Sequence, residues 1–150
     1  MLTIRLPEYG DLDFLKASYK LLDNAMNALL NQLTGSTEDD GAEPSDEYWM
    51  ELIEQRGGYI LVAINDNEPA GMAVVQEKDE QEAHLEDLVV WPDFRKQGIG
   101  QALVKEAKTF ALEKGYKCMS LNVLPNNEDA IHLYENEGFK KRKISMTWRL

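Results

Sequence analysis

The sequence predicts an α/β domain with a mixed β-sheet, and three observations lead to this fold class. Apolar runs typical of strands alternate with amphipathic segments typical of helices, in the order β-α-α-β-β-β-α-β-α-β. The chain has 150 residues, 43% of them hydrophobic, so we expect residues 1–150 to form one domain with its own core. Its single cysteine excludes a disulfide framework, and without a second thiol or a histidine cluster we expect no zinc or other metal.

The N-terminal half is predicted to contain a strand, two helices and a β-hairpin. The first strand alternates apolar and polar residues over 2–6, and the hairpin strands run over 59–64 and 71–76 with a polar turn between them. Apolar residues recur every three to four positions in both helices, which is the period of an amphipathic helix. Each helix has a residue suited to cap its start and a glycine at its end: Asp11 and Gly35 for the first, Ser45 and Gly57 for the second.

The C-terminal half is predicted to alternate strands and helices. Strands are expected over about 84–91, 118–124 and 139–149. The last of these provides an edge at which a second copy of the chain can pair, so a homodimer is one assembly that the sequence allows. The helices between the strands are bounded by Gly100 and Gly115 and by Asn127, a candidate cap, and Gly138.

The charge of the chain is strongly acidic and unevenly distributed. A net charge of −11 argues against nucleic acid as a partner, because phosphate binding needs a basic surface. Residues 1–90 hold 5 Lys and Arg against 20 Asp and Glu, a balance of −15, whereas residues 91–150 hold 11 against 7, a balance of +4. This distribution favours an anionic ligand at the C-terminal part and a cationic ligand at the N-terminal part. The alternative is that these charges only maintain solubility.

Hydropathy does not indicate a membrane segment. The longest unbroken apolar run, 59–64, is far shorter than the ~20 residues that a membrane span needs. No apolar signal segment precedes Pro7. We therefore expect a cytoplasmic protein that does not associate with a membrane.

The loop after the predicted strand 84–91 carries the clearest chemical signal. It contains Gly98-Ile99-Gly100, and two glycines one residue apart at a helix start let backbone N–H groups converge on a small anion. The helix N-terminus adds about half a positive charge, and Arg95 and Lys96 add full charges. A nucleotide P-loop is excluded because no Gly-Lys-Ser/Thr follows, and the third glycine of a dinucleotide fingerprint is missing. The loop therefore predicts a diphosphate site, with a tight structural turn as the alternative.

Two longer motifs surround this loop and the last predicted helix. The first is Arg95-x-x-Gly98-x-Gly100, preceded by Glu86-Asp87-Leu88-Val89-Val90-x-Pro92, and the second is Asn127-x-x-Ala130-x-x-Leu133-Tyr134-x-x-x-Gly138-Phe139. In order and spacing they resemble the coenzyme A signature and the other hallmark segment of the GNAT superfamily of N-acetyltransferases. The resemblance covers about residues 84–139 and does not resolve a subfamily. It implies a GNAT-type mixed, mostly antiparallel sheet of about six or seven strands flanked by four helices.

The resemblance also implies acetyl-CoA as the co-substrate, lying where the fourth and fifth strands separate. The pantetheine arm would pair with strand backbone as an added strand does. Amides of the glycine-containing loop would hold the diphosphate, and Asn127 would reach the pantetheine from the other side. The residues that it assigns to the coenzyme are Leu88, Val89, Val90, Arg95, Lys96, Gln97, Gly98, Ile99, Gly100, Gln101, Asn127, Ala130 and Tyr134.

Acetyl transfer to an amine requires a group that protonates the thiolate and a donor that stabilises the oxyanion. Tyr134 matches the family tyrosine that acts as general acid beside the coenzyme sulfur, with a core tyrosine as the alternative. The backbone N–H of Val89 or Val90 is the candidate oxyanion donor, from strand position alone.

The reaction also requires a base, because an amine with a pKa near ~10.4 is mostly protonated at pH 7 and only its neutral form attacks. Regular strand alternation predicts His84, Glu86, Leu88 and Val90 on one face and Leu85, Asp87, Val89 and Trp91 on the other, mostly core, face. The resemblance and this pattern favour Glu86 as the base, acting through water. His84 is expected to be its helper or substitute, and Asp87 to pair with a basic neighbour or bind the substrate amine.

The expected function is therefore direct transfer of acetyl from acetyl-CoA to a primary amine. The acidic N-terminal part favours a cationic acceptor such as a polyamine, a lysine side chain or a peptide N-terminus. The acidic residues singled out for attracting it are Glu38, Asp39, Asp40, Glu43, Asp46 and Glu47. A non-catalytic acyl-CoA-binding module with the same fold is the alternative.

Overall fold

A computed structural model describes residues 1–35 and 42–148 and contains, within them, one five-stranded sheet and four α-helices. The strands lie in the order β1-β2-β3-β4-β5. Short 3-10 helices precede α1 and follow β4. The elements are β1 (Leu2–Arg5), α1 (Leu12–Thr34), α2 (Asp46–Ile53), β2 (Gly58–Asn65), β3 (Glu68–Glu77), β4 (Glu82–Val90), α3 (Ile99–Glu113), β5 (Cys118–Ser120) and α4 (Glu128–Asn136).

The sheet combines an antiparallel part with one parallel pair. The pairs β1–β2, β2–β3 and β3–β4 are antiparallel, and the pair β4–β5 is parallel. The parallel pair requires a crossover connection, which α3 provides. The predicted class, an α/β fold with a mixed, mostly antiparallel sheet and four helices, is confirmed.

Helices cover both faces of the sheet, and two hydrophobic cores result. Along β2, Tyr59, Leu61 and Ala63 contribute to the core under α3, whereas Ile60 and Val62 contribute to the core under α1 and α2. The strand is therefore buried on both faces, which explains why its sequence is a continuous apolar run rather than an alternating one.

The helix caps agree with the sequence in one case and differ in another. Ser45 caps α2 as predicted, because its Oγ accepts a hydrogen bond from the N–H of Tyr48 at 3.2 Å. Asp11 forms no such bond to α1. Its carboxylate instead accepts from the Arg5 guanidinium at 2.8 Å and from the N–H of Glu8 at 2.7 Å, and these bonds, that of Arg5 above all, lower the pKa of Asp11. Asp11 therefore closes the 3-10 turn before the helix.

The predicted number and length of the C-terminal strands were wrong for the described part of the chain. β5 covers Cys118–Ser120 rather than 118–124, and residues 139–148 form no strand. The physical reason is the lack of a neighbour: β5 pairs with only three residues of β4, and a longer strand needs a backbone partner along its length. Within residues 139–148, the alternating apolar side chains are almost fully exposed, with Ile144 at 88% and Met146 at 90%.

Gly71 tests how closely β3 and β4 pack. A Cβ added at this position would lie 2.7 Å from the carbonyl oxygen of Val89 and 3.1 Å from Leu103 Cδ1. We expect Gly71→Ala to lower the free energy of unfolding by about 1–3 kcal/mol, the usual cost of overpacking a core. At Gly10, where the added Cβ meets nothing within 4 Å, alanine should leave stability within about 0.5 kcal/mol or raise it slightly. Equal urea midpoints for the two variants would contradict this packing.

Candidate active site

A β-bulge in β4 determines which side chains meet at the site. Val74 of β3 lies opposite Asp87, and the next residue, Val75, lies opposite Leu85. Glu86 therefore has no counterpart on β3 and is the extra residue of the bulge. Because strand side chains alternate between faces, one extra residue reverses the alternation beyond it.

The reversal corrects the predicted faces of this strand. Leu85, Leu88 and Val90 all contact the core under α3, whereas Val89 belongs to the core under α1 and α2. The prediction that positions 85 and 89 share one face was therefore wrong. No residue in the local sequence marks the bulge, so regular alternation was the only pattern available.

Asp87 is the side chain that the bulge brings into the site. It lies on the same face as Val89, toward α1 and α2, and is only partly exposed. Burial, followed by the negative charges of Glu86 and Asp23, raises the pKa of Asp87 from 3.8 to about 7. A buried carboxyl that titrates near neutral pH is typical of functional sites. From the sequence, Asp87 was expected only to pair with a basic neighbour or to bind the substrate amine.

Two tyrosines share the electrostatic environment of Asp87. Burial raises the pKa of both Tyr134, on α4, and Tyr48, on α2, to about 12, and the charge of Asp87 is the next contribution in each case. Tyr48 also accepts a hydrogen bond from Gln76 Nε2 at 2.9 Å. The charge of Asp87 on β4 therefore acts on one hydroxyl group of α2 and one of α4, and both hydroxyl groups remain protonated at neutral pH.

The two candidate bases, His84 and Glu86, are in contact with each other. His84 Nε2 lies 3.5 Å from Glu86 Oε2, and His84 Nδ1 lies 2.9 Å from Ser120 Oγ on β5. The Glu86 side chain is 44% exposed and that of His84 16%. This pair stands at the solvent side of the site, and Asp87 is the more buried carboxyl.

The strands β4 and β5 separate beside these groups. They pair only over Glu82–His84 and Cys118–Ser120. The N–H of Trp91 donates to Ala70 O on β3 at 2.9 Å, and backbone groups of successive strand residues point to opposite neighbours. The backbone groups of Leu88 and Val90 are therefore directed toward the open side of β4. The backbone of Val89 points to β3 and its side chain is buried, which leaves Val90 as the candidate oxyanion donor.

The loop before α3 presents a row of unused N–H groups. From Lys96 through Gln101, no amide N–H donates a hydrogen bond to any group within residues 1–35 and 42–148. Lys96 and Gly98 both have a left-handed backbone, with φ of 62° and 77°, which turns successive N–H groups to one side. The Arg95 side chain donates to Val90 O at 3.1 Å, so it ties the loop to the end of β4. These donors, with the N-terminus of α3, fit a diphosphate.

The remaining residues predicted to contact the coenzyme lie on and around this loop and on α4. Gln97 is exposed, and Ile99 is buried in the core under α3, so Ile99 can contribute only its backbone. Gly100 lies close to the side chains of Leu133 and Val90, since a Cβ added to it would be 3.6 Å from each. Asn127 precedes α4 but its side chain makes no capping bond, and Ala130 is half-buried on that helix.

Sequence reasoning missed Asn126, the neighbour of the predicted Asn127. Asn126 Nδ2 donates to Leu29 O on α1 at 3.0 Å, which ties the start of α4 to α1. Its Oδ1 is buried and has no hydrogen-bond partner among the described residues. The adjacent pair of asparagines was the available signal, but the motif drew attention to the second one only. Of the six acidic residues proposed to attract the acceptor, Glu38, Asp39 and Asp40 lie outside the described residues, and Asp46 binds Lys16 Nζ at 2.7 Å.

With this geometry established, comparison with known proteins defines the class. The model of the acetyltransferase (GNAT) family matches residues 23–139. The chain therefore belongs to the acetyltransferase (GNAT) family, a class of acyltransferases, as its motifs predicted. None of the helices in the described ranges is both long and apolar enough to cross a membrane.

Curated relatives of this chain are named as acetyltransferases. It is 36% identical over 107 residues to the streptothricin acetyltransferase of Streptomyces lavendulae, a match that spans 70% of this chain and 52% of that protein. It is 31% identical over 100 residues to the thialysine N-epsilon-acetyltransferase of Caenorhabditis elegans, spanning 64% of this chain and 62% of that protein. Across four curated relatives, these two included, the matched region spans 29% to 62% of the relative's own length.

Solved structures share the fold over the whole chain. The BH1408 protein of Bacillus halodurans, solved as a tetramutant, has a TM-score of 0.83 at 16% identity and covers 99% of both chains. The aminoglycoside N-acetyltransferase AAC(6')-Iy, solved in complex with CoA, has a TM-score of 0.73 at 18% identity, covering 100% of this chain and 95% of its own. At such identities these likenesses establish the fold alone.

Replacing Asp87 tests whether its carboxyl is held in an unfavourable environment. Because the folded state raises the pKa of Asp87 from 3.8 to about 7, it binds that proton more tightly than the unfolded chain does. The carboxyl therefore lowers stability progressively as the pH rises from about 3.8 to 7. We expect Asp87→Asn to melt at least about 2 °C higher than the wild type at pH 8, with a smaller difference near pH 4.5, by circular dichroism.

The control for this variant is Asp93→Asn, which removes an exposed carboxyl and should leave the melting temperature nearly unchanged at both pH values. An Asp87→Asn protein that melts below the wild type at pH 8 would contradict the unfavourable burial of this group.

Proposed function

We propose that this protein is an N-acetyltransferase that moves the acetyl group of acetyl-CoA directly to a primary amine that is cationic in solution. The observation that carries the proposal is the combination of two sites at the gap between β4 and β5. A row of N–H groups that form no hydrogen bond within the described residues lies at one end, and a buried carboxyl, whose charge acts on a protonated tyrosine, lies at the other. Acetyl-CoA has the diphosphate that the first site fits, and an ammonium group complements the second.

The coenzyme side of the proposal uses backbone groups. The amides of Lys96 through Gln101 would hold the diphosphate, with Arg95 and Lys96 adding positive charge. The open backbone groups of Leu88 would pair with the pantetheine arm, because the carbonyl of Val90 already accepts from Arg95. The N–H of Val90 is directed to the same side and would stabilise the oxyanion, a contribution of roughly 3–4 kcal/mol in comparable acyl transfers.

The proton that the leaving thiolate needs would come from Tyr134. With a pKa raised to about 12, this hydroxyl retains its proton at neutral pH and can donate it. A structural role is also compatible with its position, because its ring packs edge-on against the ring of Phe139, with 5.8 Å between the ring centroids. Kinetics must therefore separate the two roles.

The acceptor side would use three titratable groups of β4, which are Asp87, Glu86 and His84. Asp87 would bind the incoming ammonium, which returns this carboxyl to its charged form and favours cationic acceptors. The adjacent pair of Glu86 and His84 would then take the proton, directly or through water, as the base. Two relatives support amine acceptors through their names, which specify thialysine and streptothricin. A small-molecule or peptide amine is the proposed partner.

The competing function is an acyl-CoA-binding module without catalysis. Such a module needs the N–H row but neither Tyr134 nor a base. A thiol-release assay with acetyl-CoA and a panel of polyamines, lysine analogues, peptide N-termini and neutral amines separates the two. We expect turnover with at least one cationic amine and less with a neutral analogue of the same shape. Tight binding of acetyl-CoA with no thiol release for any amine would establish the competing function.

Glycine at position 98 tests the diphosphate site with an internal control. Gly98 and Gly35 have nearly the same backbone, with φ of 77° and 69°, and an added Cβ would meet nothing within 4 Å at either one. Alanine should therefore cost each a similar ~1 kcal/mol of backbone strain. Only Gly98→Ala places a methyl group where the diphosphate is proposed to lie, so we expect its KM for acetyl-CoA to rise at least about tenfold. A KM unchanged in both variants would place the coenzyme elsewhere.

Removing the Tyr134 hydroxyl tests its role as the acid. Tyr134→Phe should lower kcat by about ten- to a hundred-fold while leaving the Kd for acetyl-CoA unchanged, because the ring and its packing remain. Steady-state kinetics and calorimetry measure the two quantities. The matched control is Tyr9→Phe, since Tyr9 is 55% exposed and bonds Glu54 outside the site, and it should retain wild-type kcat. Full turnover by the Tyr134 variant would remove this residue from the mechanism.

A further inference from the structure

A network of hydrogen bonds connects His84 to Ser120 on β5 and to Glu82 on β4. His84 Nδ1 lies 2.9 Å from Ser120 Oγ, and that hydroxyl donates to Glu82 Oε2 at 2.7 Å. Glu82 also pairs with Lys78 Nζ at 3.2 Å. On the other side of the ring, Nε2 faces Glu86 Oε2 at 3.5 Å. This hydrogen-bond network joins β4 and β5 at the end of their short pairing. The sequence pattern did not predict it.

The positions of the protons in this hydrogen-bond network define the tautomer of the His84 imidazole. The Ser120 hydrogen bond, followed by Lys78, lowers the pKa of Glu82, so its carboxylate is ionised and accepts only. The single hydroxyl proton of Ser120 is therefore committed to Glu82. Ser120 Oγ can only accept from the ring, which requires a proton on His84 Nδ1. In the neutral imidazole, Nε2 then carries the free lone pair.

We propose that Ser120 and Glu82 are positioning residues that hold neutral His84 in its Nδ1–H form, so that Nε2 is the atom that accepts the proton of the substrate ammonium. This inference rests on the proposed function and decides which atom of the β4 pair receives the proton. Orientation of an imidazole through its second nitrogen is a general device in acid–base sites.

The proton balance of the step is simple. A protonated amine gives one proton to His84 Nε2, and the products are the neutral amine and an imidazolium. The Glu86 carboxylate at 3.5 Å and the Ser120 oxygen at 2.9 Å stabilise the new positive charge. Nε2 of the neutral His84 ring and the Glu86 carboxylate are both hydrogen-bond acceptors. A donor such as an ammonium group or water can therefore bridge the two before the proton is transferred. The neutral amine is then free to attack the thioester.

Nitrogen-15 NMR of the histidine rings tests the tautomer independently of catalysis. The chain has two histidines, and His132 on α4 is exposed, so its signals provide a solvent reference that His132→Gln assigns. At a pH where both rings are neutral, we expect His84 to show a protonated Nδ1 and an unprotonated Nε2. Ser120→Ala should shift that population toward Nε2–H, whereas Ser120→Thr, which retains a hydroxyl, should preserve it. A wild-type ring that is already Nε2–H would overturn the proposal.

Kinetics tests whether the tautomer matters for the reaction. We expect Ser120→Ala to lower kcat/KM for the amine about tenfold with KM for acetyl-CoA unchanged, and Ser120→Thr to stay within about twofold of wild type. An altered tautomer without any loss of kcat/KM would overturn the role of Nε2 as acceptor. Circular dichroism of both variants confirms that they fold. A wild-type protein without turnover on any amine would contradict the proposed function, whereas the ring spectrum decides the tautomer in either case.

Discussion

The short pairing between β4 and β5 is the constraint on which the site depends. Only three residues of each strand are paired, and beyond them the backbone of Leu88 and Val90 has no strand beside it. The bulge at Glu86 acts on the same stretch, because it turns the next side chain, Asp87, toward α1 and α2. A regular and fully paired β4 would have neither an open backbone nor this carboxyl in the site.

The two ends of this gap carry opposite charge preferences. The loop before α3 offers unshared N–H groups and the positive end of a helix dipole, which favour an anion. At the other end, burial, followed by the negative charges of Glu86 and Asp23, raises the pKa of Asp87 to about 7. This end favours a cation, because a bound ammonium relieves the repulsion among the carboxyls.

Local sequence signals predicted most of the fold and indicated the loop that is proposed to bind an anion. Helix periods, Ser45 as a cap and the paired glycines at 98 and 100 each act through nearest neighbours in the chain, so they are visible without a structure. The order of the elements followed from the alternation of strand and helix patterns, and the family resemblance named Tyr134. These signals failed where partners distant in sequence decide the outcome. The strand expected over 139–149 required a neighbouring strand to pair with, and residues 139–148 form no strand in the structure.

The same limit explains what was missed within the site. The bulge depends on the register between β3 and β4, which no local motif specifies, so Asp87 was assigned to the core face and Glu86 was favoured over it. The contact between His84 and Ser120 joins residues 36 positions apart in the chain. The tautomer of a histidine depends on such contacts, and residue type alone does not define it.

The central claim is that the coenzyme lies along the open side of β4 with its diphosphate on the N–H groups before α3. Backbone amide NMR during titration with acetyl-CoA tests this claim most directly. We predict that the largest shift changes fall on Leu88, Val90 and residues 96–101, and that those amides become protected from hydrogen exchange. Changes confined to other surfaces, or none at saturating coenzyme, would contradict the account.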